Sequence, residues 1–122
     1  METGLTYTAT TIVATENTAL SLGSGDMKVF ATPAMIALME NAAMNAVAQH
    51  LPEGNTTVGI SMQSTHIAAS GIGKKITATA TLTHVEGRKL TFKVVAYDGE
   101  TLIGEGCHER FIVDRERFLS KL

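Results

Sequence analysis

The sequence predicts an α+β fold, a curved antiparallel sheet wrapped around one long central helix, and three observations carry that reading. Val29 to His50, VFATPAMIALMENAAMNAVAQH, is long and apolar, lacks glycine, and has its one proline near the start. From Thr56 onward the apolar pattern changes to a period of two residues, the signature of strands. The segments with that period are joined by turns too short for parallel crossovers, so they form an antiparallel meander.

Taken in order, Leu5 to Leu20 is rich in Thr, Val and Ile and predicts one long or bent strand, weakest near Glu16 and Asn17. Ser21 to Lys28, SLGSGDMK, is a polar loop. Thr32 is a good N-cap type and Pro33 suits the first helical position, where its missing amide hydrogen costs nothing. LPEGN stops the helix at Leu51 to Asn55. TTVGISMQSTHIAAS follows, with Ile60, Met62, Ser64, His66 and Ala68 on one face and Ser61, Gln63, Thr65 and Ile67 on the other. Neither face is cleanly polar, which predicts a strand covered on both sides. After Ser70 to Gly73, KKITATATLTHVE sets Ile76, Ala78, Ala80 and Leu82 against Thr77, Thr79, Thr81 and Thr83, a regular half-buried strand. Glu86 and Gly87 turn into RKLTFKVVAYD, and Asp98 to Glu100 turn into TLIGEGCHERFIVD. Asp114 to Leu122 reads as a short amphipathic helical tail. A helix apolar on most sides needs a curved sheet around it, and no repeat or boundary divides residues 1–122, which are read as a single domain.

Composition narrows the function. With 10 basic and 12 acidic residues the net charge is −2, which leaves no electrostatic footprint for nucleic acid. The single cysteine excludes an internal disulfide and fits a reducing compartment. METGLTYTAT has neither the basic start nor the apolar run of a signal peptide, and Glu40, Asn41, Asn45 and Gln49 interrupt the helical stretch, so a membrane span is not expected. The expectation is a cytoplasmic protein.

Glu40 is the residue that breaks the pattern. At ~100° per residue, Asn41, Asn45 and Gln49 form one polar stripe, and Glu40 lies roughly 140° from its centre, between Ile36, Ala43, Met44 and Val47. A carboxylate there must find a partner or shift its pKa. One reading is a structural acid paired with an internal arginine or capped by a hydroxyl; the other is a catalytic carboxylate. Taken by spacing alone, His66 is a satisfied core histidine, Thr32 an N-cap and Gly59 the site of a strand bulge. Lys74 and Lys75 follow a glycine-rich turn, and Arg88 and Lys89 sit on another, where they either solvate strand ends or meet phosphates. His50, His84 and His108 have no metal-ligand spacing, and no metal is expected. Cys107 lacks a base, because the neighbouring His108 points to the opposite sheet face, and His108, Glu109 and Arg110 read as an interface or structural network. The six methionines fill irregular core space or line an adaptable pocket.

VFATPAMIALMENAA, VGISMQSTHIAA, HVEGRKL, AYDGETLIGEG and HERFIVDRERF together resemble the fluoroacetyl-CoA thioesterase group of hotdog-fold proteins, in the same order and from Val29 onward. The resemblance implies a hotdog fold, a homodimer or higher oligomer with sheets joined edge to edge, and hydrolysis of an acyl-CoA. It implies Thr32, Glu40 and His66 as the catalytic set and Gly59 beside the reacting acyl group; Arg88 and Lys74, from their turns, and Phe30 at the helix entrance are further substrate-binding candidates. No cofactor is expected beyond coenzyme A as part of the substrate. The chemistry suits these residue types: Glu40 attacks the thioester or activates water, His66 handles protons, Thr32 holds a partner in line, and the Gly59 amide meets the developing oxyanion. One departure bears on substrate, because the resembled enzyme has a phenylalanine-bearing segment before the helix, whereas SLGSGDMK has no aromatic residue and Phe30 follows it. A small or short-chain acyl-CoA is therefore expected, without selectivity for a fluorinated one. Two other functions fit the same features, a hotdog dehydratase or hydratase and a noncatalytic acyl-CoA-binding module. Thiol release separates hydrolysis from both, and an enoyl-CoA absorbance assay separates those two.

Overall fold

The computed structural model describes residues 1–122. Five strands, β1 (Thr6–Ile12), β2 (Asn55–His66), β3 (Lys75–Glu86), β4 (Lys89–Asp98) and β5 (Thr101–Asp114), form one antiparallel sheet in the order β1-β3-β4-β5-β2. Three helices accompany it: α1 (Ala19–Leu22), α2 (Thr32–Val47) and α3 (Arg115–Ser120). No helix is long and apolar enough to cross a membrane.

The core forms where the period of α2 meets the period of the strands. Met35, Met39, Ala42, Ala43, Ala46 and Val47 make one buried stripe. It lies on Ile76, Ala78, Ala80 and Leu82 of β3, and Leu90, Phe92, Val94 and Ala96 of β4 continue the same core. The alanines let the helix sit close to the sheet, so an aliphatic core closes with few aromatics. At Gly104 the packing is tight on two sides, since a Cβ there would collide with the Thr65 carbonyl of β2 and stand 2.7 Å from Met35 Sδ of α2.

Four expectations are corrected. The first strand ends at Ile12; Thr15–Asn17 form a 3-10 turn and Ala19–Leu22 a helical turn, so Leu5 to Leu20 is not one strand. Asn17 breaks it, its side chain accepting from the Ala14 amide and donating to the Ile12 carbonyl, bonds that compete with a ladder. The long helix starts at Thr32, with Ala31 in the cap position, and Thr32 makes no capping bond. A strand covered on both faces does not describe β2 either, because Gln63 and Thr65 on its outer face are exposed. Finally, Ile60 does not share a face with His66. A bulge between Gly59 and Ser61 inserts Ile60 as an extra residue, 52% exposed, and alternation resumes beyond it with Met62 opposite His108. The remaining strand alternation, the tight turns and the capped C-terminal helix agree with the sequence reading.

Candidate active site

Freed from capping, the Thr32 hydroxyl lies 2.7 Å from His66 Nδ1, joining the first turn of α2 to the last residue of β2. Phe30 is buried beneath, its ring edge-on to the imidazole at 6.4 Å and 80°. Backbone pairing sets this arrangement, because Phe30 bridges to Thr18 and its amide donates to the Ser70 carbonyl at 2.9 Å. Burial lowers the His66 pKa below its ordinary 6.5, partly offset by backbone at Ala68, so the ring is neutral at pH 7. Its Nε2 is buried without a hydrogen-bond partner, an unusual condition for a polar atom in a folded chain. An open cavity of about 290 Å³ lies here, lined by Val29, Phe30, Thr32, His66, Ala68 and Ala69 among others. Thr32, His66 and Phe30 are thus brought together at the wall of one open hollow of mixed polar and apolar lining.

Glu40 stands elsewhere. Two turns further along α2, at 1.5 Å rise per residue, it is about 12 Å along the axis from Thr32. It also lies roughly 100° round the helix from the centre of the buried stripe, and its side chain is 42% exposed. Arg110 Nη1 is 3.7 Å from its Oε2. A Cβ on Gly59 would come within 2.8 Å of Glu40 Oε2, 3.2 Å of His108 Cε1 and 3.5 Å of Arg110 Nη1. Gly59 therefore leaves the space that the carboxylate uses, and it also begins the bulge that spacing alone predicted. Within one chain Glu40 is the acid paired with an internal arginine. It is not a neighbour of His66 and does not line the cavity at Thr32.

Arg110 and His108 complete this second group. Both sit on the face of β5 turned to the helix, 6% and 1% exposed. Arg110 donates from Nε to Thr57 Oγ1 at 2.8 Å and from Nη2 to the Thr57 carbonyl at 2.9 Å. Its Nη1 is 3.1 Å from His108 Nε2, and His108 Nδ1 is 2.7 Å from the Ser61 carbonyl at the bulge. Burial lowers the pKa of both; for His108 the Ser61 bond opposes this and the Arg110 charge adds to it, while for Arg110 the Glu40 charge opposes it. Arg110 nonetheless remains a cation, its ordinary value being so high. The sequence signal was available: His108 and Arg110 share the parity of Ile112, the inward face, whereas Cys107 and Glu109 face out. Cys107 is free and exposed, as that parity requires.

The remaining two candidates lie apart. Arg88 lines a second cavity of about 350 Å³ with Phe111, Arg117, Phe118 and Lys121, beside Asn55 at the opposite end of β2 from His66. Lys74 precedes β3, exposed, and lines neither cavity.

Comparison with known proteins settles the kinship. The family model described as fluoroacetyl-CoA-specific thioesterase matches residues 13–116. This chain belongs to the fluoroacetyl-CoA-specific thioesterase family. A fluoroacetyl-CoA thioesterase from Streptantibioticus cattleyicolor is 43% identical over 95 residues, 78% of this chain and 68% of that protein. A solved structure of the fluoroacetyl-CoA-specific thioesterase FlK superposes with a TM-score of 0.92 at 37% identity, covering 99% of this chain and 94% of that one. A variant of that enzyme in complex with fluoroacetate and CoA gives 0.90 at 37% identity over 97% and 99%. A thioesterase superfamily member from Thermus thermophilus gives 0.90 at 26% identity, covering 98% and 89%. The five-stranded sheet curled around α2 is accordingly the hotdog fold of this family.

Proposed function

We propose that this chain hydrolyses small or short-chain acyl-CoA thioesters to the free acid and CoA, in a homodimer whose two sites each draw on both subunits. Family membership makes it an acyl-CoA thioesterase. The observation that carries the detailed reading is the Thr32–His66 hydrogen bond at the wall of a cavity, with the acid held apart on the same helix.

The composite site has a geometric argument. Thr32, Ile36 and Glu40 are spaced by four residues, so they share one flank of α2. That flank, with Ala37 and Met44, is half-buried or exposed although largely apolar. A two-fold axis passing near Ile36 would set the Glu40 of one copy against the Thr32 of the other. The same axis would run antiparallel copies of the free β2 edge past each other, bringing Gly59 toward the other copy's His66. An unpaired edge of 12 residues beside an apolar helix flank also needs such cover.

In that site the thioester carbonyl meets Glu40, which either attacks carbon directly to form an acyl anhydride or removes a proton from the attacking water. In the direct route the carboxylate oxygen bonds to carbon as the carbon–sulfur bond breaks and CoA leaves as the thiolate, and water then opens the anhydride, its proton passing through His66 to the thiolate. In the other route the proton that Glu40 takes from the attacking water passes through His66 to the thiolate as the carbon–sulfur bond breaks. A thiol of pKa ~8.5 leaves with little help, so placement and oxyanion stabilisation dominate. Thr32 fixes the ring through Nδ1 and leaves Nε2 for the reaction. The Gly59 amide supports the oxyanion. The cavity walls carry the short side chains of Ala19, Val29, Ala68 and Ala69, which suits a small aliphatic acyl group. A cytoplasmic setting agrees with the free, exposed cysteine.

The test is thiol release across a panel of acyl-CoAs. Glu40→Gln is expected to abolish release with the circular dichroism spectrum unchanged, and full activity in that variant refutes the assignment.

A further inference from the structure

We infer that His108 is a positioning residue for the reaction: it fixes the plane of the Arg110 guanidinium, and through it the place of the Glu40 carboxylate over Gly59. The inference rests on the proposed role of Glu40.

The hydrogen-bond logic is closed at both ends. Arg110 can only donate, so for its Nη1 to bond His108 Nε2 at 3.1 Å that nitrogen must be bare. The Ser61 carbonyl can only accept, so His108 Nδ1, 2.7 Å away, must carry the proton. One neutral tautomer satisfies both. Without His108, Arg110 is anchored only to Thr57, through Nε and Nη2, which lie on one edge of the guanidinium. The His108 contact holds the other edge, the one that faces Glu40. The bulge supplies the fixed point, because Ser61 stands where the ladder register shifts. Phe92 packs against the ring at 6.3 Å and keeps it from turning.

The same logic makes the device sensitive to acid. A protonated His108 would turn an N–H toward the guanidinium, losing the bond and placing two cations side by side. The charged groups that face it are Arg110 from β5 and Glu40 from α2, with Glu109 acting from the opposite face of β5; β2 presents the Ser61 carbonyl and β4 the apolar Phe92.

Two variants test this. His108→Phe keeps the ring volume against Phe92 but can neither donate nor accept, and His108→Gln returns an oxygen to Arg110. The expected result is kcat lowered about 10- to 100-fold in His108→Phe with KM nearly unchanged, and restored to within several-fold in His108→Gln. Log kcat should fall toward acid less steeply in His108→Gln than in the wild type, because the variant has lost a titrating ring. A merely structural histidine would lower Tm without moving kcat per folded molecule or that slope, and such a result overturns the inference. Nitrogen NMR of Arg110 provides a readout independent of turnover. Its guanidinium signals should be resolved in the wild type and His108→Gln and averaged by rotation in His108→Phe; identical signals in all three also overturn it. Were the wild type to release no thiol, the hydrolysis reading alone would fall, and the Arg110 signals would still decide whether His108 holds the guanidinium.

Discussion

At the scale of single residues, this site is organised by what a side chain is released from doing. Thr32 occupies the first turn of α2 without capping it, so its hydroxyl is available to His66. From sequence its type and its neighbour Pro33 pointed to a cap, because a threonine before a proline is ambiguous by one position. Glu40 and His66 were legible as exceptions to their surroundings. Their separation within one chain was not, since helical periodicity identifies an apolar flank without saying whether this chain or another covers it. Gly59 carries the sharpest residue-level prediction. In Gly59→Ala the new methyl would stand 2.8 Å from Glu40 Oε2. That oxygen is the far end of a flexible side chain, so stability should fall by only about 1 kcal/mol or less, while kcat drops about 10-fold or more as the carboxylate is displaced. Urea unfolding and steady-state kinetics on the same preparation measure the two effects.

Among elements, the contact between α2 and the sheet leaves little slack where backbone meets backbone. Gly104 lies where β5 passes both β2 and Met35. Unlike Gly59, its obstructing neighbour is a main-chain carbonyl that cannot swing aside. Gly104→Ala is therefore expected to cost about 2–3 kcal/mol, seen as a shift in urea midpoint. The β3–β4–β5 meander was readable because each strand has one buried and one wet face and each connection is a tight turn. The first segment was not, because threonine, valine and isoleucine carry strand propensity through Ile12 and Val13 while the Asn17 side chain closes a local turn against it. Propensity yields there to a few local hydrogen bonds.

For the whole molecule, two predictions follow from buried histidines and an uncovered flank. The folded state holds His66 and His108 below 6.5, so it binds fewer protons than the unfolded chain as pH falls past that value. The stability they contribute is complete above pH 6.5 and is lost progressively below it, and thermal denaturation from pH 7.5 to 5 should show Tm declining toward acid. A site shared between subunits predicts that the inactive variants Thr32→Ala and Glu40→Gln, unfolded and refolded together, regain activity. Mixed dimers then contain one intact site, about a quarter of the wild-type rate at equal mixing. No recovery on mixing would place all three residues in one chain's site. The sequence carried the family and the hotdog outline in motifs spread from Val29 onward, but strand and helix periods alone did not show that Glu40 and His66 stand apart within one chain.

The extra residue at Ile60 has a final consequence. Gly59 and His66 are an odd number of positions apart, and on an unbroken strand an odd interval sends two side chains to opposite faces. The insertion changes the parity, so both look toward the helix. Periodicity read straight through this strand would discard one of the two from any common surface. The common facing of these two residues thus comes from an irregularity in the lattice of hydrogen bonds, and a relative that lacked it would need a different spacing to assemble the same groups.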